Sequence, residues 1–262
     1  IFFKIVKILV KIKLNYRPDI DGIRAIAVIA VILYHAKYIT NEKYFLSGGF
    51  FGVDIFFVLS GYLITKLILT EIQKTKKFNF FHFYERRIKR ILPVLLVVIF
   101  CTSICAYFLY LPGDLKSFSM SSLYALFFIS NYFFLNSTSL YFASDNIFHG
   151  LLHTWSLSIE EQFYLLFPAV IFMFNFFSKK KIIGLFVLLF FISIILARLE
   201  TIHEKSSAFY LIQFRLFEFL PGSILAYMQL RYSKFNNPVY IKKYGSILGI
   251  GLIIFSFIFF NE

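Results

Sequence analysis

The sequence predicts an all-α fold, a polytopic transmembrane helical bundle, and three observations predict it. Hydrophobic residues make up 59% of the chain and aromatics 21%, well above the apolar share of about 45–50% in soluble domains. Leu, Ile, Phe and Val recur in blocks of about 17–22 residues, the length a helix needs to cross roughly 30 Å of hydrocarbon. Short alternating segments of the barrel type are absent from the sequence, so helices do the spanning.

The elements follow in order. Over residues 1–15, Lys4, Lys7 and Lys11 recur at spacings of three and four among Ile, Val, Leu and Phe. That places them on one face of a basic amphipathic helix, expected to lie on the membrane surface. No cleavable signal peptide is evident, because the first long block follows a basic stretch and has no small-residue cleavage site. Crossings are predicted at Ile20–Tyr38, Phe50–Leu69, Ile91–Leu111, Ile159–Phe177, Ile182–Leu199, Phe209–Leu230 and Gly245–Phe260. Phe118–Leu135, with several Ser and Asn, is a weaker eighth candidate.

Charge counting decides how to treat it. If it does not cross, one side holds six Lys and Arg up to the first helix, eight from Lys66 to Arg90, three at Lys179–Lys181 and four from Arg231 to Lys243, and the other side holds five. If it crosses, the counts become 16 and 10. The positive-inside bias favours the first arrangement: about seven crossings, a cytoplasmic N-terminus in the cell membrane, and Phe118–Leu135 re-entrant or interfacial. The net charge of +13 is therefore read as orientation signal rather than as a nucleic-acid surface. Cys101 and Cys105 lie four apart in one apolar block and are expected to pack as small hydrophobes, with no metal site implied. The chain begins with Ile and ends close to an apolar block, so residues 16–262 are expected to be a C-terminally incomplete membrane domain.

Ionisable groups inside such helices cost at least about 2.5–3.5 kcal/mol each and are functional candidates by default. Arg24 and His35 are eleven residues apart, so they share a helix face about 16 Å apart along the axis. Arg24 falls near the inner end and His35 in the outer half; a snorkelling arginine and a packed histidine are the alternatives. "GGFFGVDIFFVLSGYLIT" brings Asp54 to the outer end of the second crossing, with Ser60 and Gly61 deeper. "FYERRIKRILP" puts Arg87 and Arg90 at the inner mouth of the third, as orientation signal or as a phosphate clamp. "HTWSLSIEEQFY" places His153, Trp155, Glu160 and Glu161 at the outer entry of the fourth crossing, where Ser158 and Glu161 also fit a helix-capping box. "FRLFEFLPG" sets Arg215 and Glu218 three apart, able to neutralise each other. The groups sort by depth, with Arg24, Arg87 and Arg90 inside and the rest in the outer half. That sorting predicts two substrates arriving from opposite faces.

The Arg24–His35 spacing, "GVDIFFVLSGYLI", the Arg87–Arg90 pair, "HTWSLSIEEQFYLLFP" and "FRLFEFLPG" occur together. In that combination and order, from Tyr16 to at least Gly222, the chain resembles the acyltransferase family 3 integral-membrane O-acyltransferases. The resemblance implies a domain of about ten helices, of which this chain is expected to be a fragment. It implies transfer of an acetyl or other short acyl group from cytosolic acyl-CoA to a hydroxyl of an extracytoplasmic polysaccharide, lipopolysaccharide, peptidoglycan or other glycan. The extracytoplasmic SGNH domain that some members append is not in this sequence, so acceptor specificity supplied there is expected to be absent or to lie beyond Glu262. On this reading Arg24, Arg87 and Arg90 hold the donor, and no resident cofactor or metal is required. His35 is the general base, supported by Asp54, Glu160 or Glu161, with Ser60, Gly61, His153, Trp155, Arg215 and Glu218 as structural or positioning residues. An acyl-enzyme route through Ser60, Ser156 or His35 stays open. A transporter or flippase using the same charges as a proton or substrate path is the alternative from another class.

Overall fold

The computed structural model describes residues 17–36, 39–40, 43–44, 46–137, 149–174, 179–232 and 239–260; the basic helix expected over residues 1–15 lies outside them. The described elements are α1 (Pro18–His35), a hairpin of β1 (Ile39–Thr40) and β2 (Lys43–Tyr44), α2 (Phe51–Thr75), α3 (Phe80–Leu109), α4 (Pro112–Leu126), α5 (Ser130–Ser137), α6 (Thr154–Phe174), α7 (Lys179–His203), α8 (Lys205–Tyr210), α9 (Ile212–Arg231) and α10 (Val239–Phe259). The fold is the predicted helical bundle. Five segments are long and apolar enough to cross a membrane: Phe51–Thr75, Phe80–Leu109, Thr154–Met173, Lys181–His203 and Lys205–Arg231. The other two predicted crossings are helical in α1 and α10.

Phe118–Leu135 does not form one helix. It is split between α4 and α5 by a turn in which Phe128 takes a left-handed φ of 56°. The 15 residues of α4 reach only about 22 Å, short of the hydrocarbon thickness.

Two compact units make up the chain, one from residues 1–78 and 225–262, the other from residues 79–224. In the first, α1 opens with Pro18 at its first positions and Asp19 and Asp21 in its first turn, where a fixed φ and negative charge suit the exposed N–H groups. Arg17 forks onto Asp19, its Nε donating to Oδ1 at 2.8 Å, and this holds the Asp19 carboxyl below the usual carboxylate range. Along α1 a narrow stripe of Ile20, Ala27, Ala30 and Tyr34 is buried, while Ile29 and Ile32 face outward.

Glycines set how closely α2 approaches that stripe. A Cβ on Gly52 would stand 2.5 Å from the Ala27 carbonyl oxygen, and one on Gly49 would overlap that of Ala30. Only small residues permit such backbone contact, the packing that membrane helices use in place of a hydrophobic drive. The same turn reaches the far end of the chain: the Gly48 N–H donates to Phe257 O at 2.9 Å and Ser47 Oγ to Phe260 O at 3.0 Å, pairing the last carbonyls of α10.

In the second unit, α3 begins at an Asn79 cap whose side chain accepts from the His82 N–H at 3.0 Å. It runs antiparallel to α6, with Phe80 against Phe172 at 5.7 Å between ring centroids and Tyr84 Oη donating to Leu165 O at 2.7 Å. Phe163 stacks between Phe167 and Phe219, both at 4.3 Å, a core in which aromatic area replaces aliphatic packing.

α5 is tied down by hydroxyls. Ser158 Oγ accepts the Ser130 N–H at 3.1 Å, Thr154 Oγ1 donates to Ser130 Oγ at 2.9 Å, and Gln162 Nε2 bridges Phe128 O and Asn131 Oδ1 at 3.1 and 2.9 Å. The predicted capping box at Ser158 is thereby corrected. α6 starts four residues earlier, at Thr154, so Ser158 is interior and spends its hydroxyl on another helix.

Gly52→Ala is expected to lower the unfolding free energy in detergent by about 1–3 kcal/mol, since backbone must move to admit the methyl. Gly22→Ala, with nothing within 4 Å of its new carbon, is expected to be neutral or to stabilise by up to about 1 kcal/mol. Thermal unfolding of the two purified variants checks the pair.

Candidate functional site

The first unit carries Arg24 and His35 on one flank of α1, beside the buried stripe. Arg24 is half-buried and pairs with Asp21 one turn back, Nη1 to Oδ1 at 3.6 Å. His35 is exposed at the last position of α1, and its Nδ1 lies 2.8 Å from Val31 O. A carbonyl only accepts, so Nδ1 carries the proton, and in the neutral ring Nε2 is the basic nitrogen. The Val31 carbonyl thus orients the ring through Nδ1. Asp54 is half-buried in the first turn of α2, and Ser60 and Gly61 are buried further along it.

The second unit brings Arg87 and Glu161 together. Each is half-buried, and they attract one another, with Arg90 also acting on Glu161. The Arg87 guanidinium stands 5.9 Å from the Phe83 ring centre and 5.8 Å from that of Tyr164, within cation–π range. Tyr164 in turn donates to Glu160 Oε2 at 3.0 Å. The expected sorting by depth therefore fails for this pair. α3 begins at Phe80, well before the apolar block at Ile91, so Arg87 sits two turns inside the helix, and the antiparallel α6 presents Glu161 beside it. Arg87 Nε and Glu161 Oε1 are buried with no hydrogen-bond partner among the described residues. Such orphans mark where a bound polar group gains most, about 1–3 kcal/mol for each atom it satisfies. Arg90 is exposed on the same helix.

Arg215 and Glu218 form a buried pair, Nη1 to Oε1 at 2.5 Å, beside the buried Trp155. The sequence left the purpose of Arg215 open, and the backbone explains it. The predicted crossing Phe209–Leu230 breaks at Leu211, between α8 and α9. Arg215 Nε donates to Phe209 O at 3.0 Å and Asn131 Nδ2 to Tyr210 O at 3.0 Å, so side chains claim the carbonyls the break releases. Ser193 does the same one turn on, its Oγ donating to Gln213 O at 2.9 Å and accepting the Phe217 N–H at 3.1 Å. His153 is exposed just before α6, its carbonyl taken by Ser156 Oγ at 3.2 Å.

Asn131, Gln162 and Ser193 are not among the residues that the sequence singled out, which were chosen mainly for charge. Their signal was present, since amides and hydroxyls in apolar helices also need partners. Metal chemistry finds no cluster of His, Cys, Asp or Glu among the described residues.

Two outcomes follow. Arg215→Met is expected to cost about 3–5 kcal/mol by stranding the Glu218 carboxylate, with a large part recovered in the Arg215→Met, Glu218→Gln double variant; unfolding in detergent measures both. His149 stacks on Phe134 at 5.8 Å, and burial lowers its pKa against the opposing pull of Asp114. Its unfolded form binds protons first, so stability present above about pH 6.5 is lost as pH falls toward its folded value. Melting temperatures between about pH 7 and pH 5 should fall less in His149→Gln than in the parent.

No solved structure matches the chain. Over 220 residues it is 40% identical to "O-acetyltransferase OatA" of Staphylococcus aureus (strain NCTC 8325 / PS 47), covering 82% of this chain and 35% of that protein. It is 37% identical over 257 residues to "Peptidoglycan O-acetyltransferase OatA" of Listeria monocytogenes serovar 1/2a (strain ATCC BAA-679 / EGD-e), covering 94% and 39%. It is 35% identical over 266 residues to "Putative O-acetyltransferase SAS0844" of Staphylococcus aureus (strain MSSA476), covering 95% and 42%. The chain thus spans between a third and a half of the length of these curated relatives. The family described as "Acyltransferase domain" matches residues 17–262. A multi-pass helical protein with this match along nearly its whole length belongs to the acyltransferase family 3.

Proposed function

We propose that the chain carries the membrane step of a cell-envelope O-acetyltransferase, moving an acetyl group from cytosolic acetyl-CoA to a hydroxyl of an extracytoplasmic glycan. The relatives' names make peptidoglycan the first acceptor to test. The observation that carries this reading is the pair on α1: one helix flank holds a cation at its N-terminal end and, about 16 Å along, an imidazole oriented through Nδ1 by Val31 O.

In this reading the N-terminus is cytoplasmic and the donor enters from that side. Arg24, Arg87 and Arg90 are the donor-holding cations, guanidinium matching phosphate through paired N–H donors. The pantetheine arm carries the thioester toward His35. His35 Nε2 takes the acceptor hydroxyl proton as the oxygen attacks the thioester carbonyl. The C–S bond breaks, the imidazolium returns the proton to the departing thiolate, and ester and free CoA thiol result. Asp54, on α2 of the same unit, is the carboxylate assigned to support charge on the imidazole, whereas Glu161 lies beside Arg87. Ser60, Ser156 or His35 as transient acyl carrier is the covalent version of the same transfer.

Membranes containing the protein, incubated with acetyl-labelled CoA and extracted for peptidoglycan, test this. His35→Ala is expected to lower label on the glycan by about 10²–10⁴-fold, the range for a lost general base. Equal labelling by parent and variant would overturn the assignment. Label that crosses the bilayer without forming an ester would favour a transporter.

A further inference from the structure

The first unit contains a second basic cluster that the proposed transfer does not use. On α2, Lys66 is half-buried one turn from Tyr62, and its Nζ donates to Tyr62 Oη at 3.0 Å and lies 5.2 Å from the same ring centre. From the start of α1, Arg17 Nη1 donates to that same oxygen at 3.4 Å. Tyr62 passes its own proton to Gln229 Oε1 at 2.9 Å, and its ring is buried against Ile20 and Ala226.

The phenol's hydrogen-bonding capacity is therefore full, two bonds accepted and one donated. Two cations nonetheless converge on it, their nitrogens no more than the sum of those two distances apart. Asp19 answers the Arg17 charge on its outer edge through Nε and Nη2. Lys66 has no carboxylate partner among the described residues. Its ammonium has three N–H donors and the Arg17 guanidinium five, of which the contacts just described use one and three. Both cations thus keep unused donors while meeting at the Tyr62 oxygen, and the Arg17 side chain is 44% exposed.

We infer that Arg17 and Lys66, seated on Tyr62 and Gln229, form a binding site for a phosphate group. A phosphate has enough acceptor oxygens to take the unused donors of both cations at once, and its charge relieves their mutual repulsion. A phenol, neutral and saturated, cannot do this. The inference rests on the proposed function only for the ligand's source. If acetyl-CoA is the donor, the phosphate is one of its nucleotide phosphates; the other source with the same chemistry is an anionic phospholipid headgroup.

The test uses the purified protein in nanodiscs of zwitterionic lipid, titrated by calorimetry with CoA, with dephospho-CoA and with a short-chain phosphatidylglycerol. Lys66→Met and Arg17→Gln are each expected to weaken binding of the phosphate ligand by about tenfold, the loss of one charge-assisted contact. Lys66→Arg is expected to retain binding and guards against misfolding as the cause. CoA weakened by the variants assigns the site to the donor, and a larger loss for CoA than for dephospho-CoA identifies the 3′-phosphate. Phosphatidylglycerol weakened while the parent fails to bind CoA keeps the site but removes the donor reading. Parent-like affinity of Lys66→Met and Arg17→Gln for all three ligands overturns the inference, whatever becomes of the donor.

Discussion

A helix interrupted in a protein interior leaves carbonyls that water does not reach, and each must be paired from within the protein. Much of the polar chemistry of the second unit answers this demand. The break at Leu211 exposes Phe209 O and Tyr210 O, and Arg215 and Asn131 close on them. The turn at Phe128 frees its own carbonyl, which Gln162 takes while holding Asn131 by the side chain. One arginine, two amides and a serine–threonine knot thereby form a continuous frame that fixes α5, α6, α8 and the start of α9.

This constraint separates two kinds of polar residue that look alike in the sequence. Arg215, Asn131 and Ser158 have their contacts committed to backbone or to one another. Arg87, Glu161 and Lys66 keep donors or acceptors that no described group uses, although at least half-buried surroundings make that costly. A fold that tolerates such uncommitted atoms has a use for them beyond holding itself together.

The fold class was legible because apolar block length is set directly by bilayer thickness, and block order survives any error at the edges. Helix ends were less legible. The Arg- and Lys-rich start of α3 is a good helix former although not apolar, so hydropathy located the apolar part and missed the first turns, Phe80 to Arg90, that carry Arg87 beside Glu161. The pairing of Arg24 with His35 was readable because both sit on one uninterrupted helix, where periodicity is geometry. The break at Leu211, the full start of α6 and the meeting of Arg87 with Glu161 depend on neighbours distant in sequence, which no local pattern encodes. Tyr62 and Lys66 were passed over for the same reason, because their significance comes from Arg17 and Gln229 on other helices.

The turn at Ser47 and Gly48 has a consequence in time. It holds the end of α10, roughly 210 residues later in the chain. A ribosome adding about 5–20 residues per second takes on the order of 10–40 s to make that partner. During this interval α1, α2 and the turn between them have been made, while the carbonyls that the turn holds have not. The glycine-lined seam between α1 and α2 forms early and locally. The closing of the first unit is a late event, since the carbonyls that Ser47 and Gly48 hold come from the end of α10.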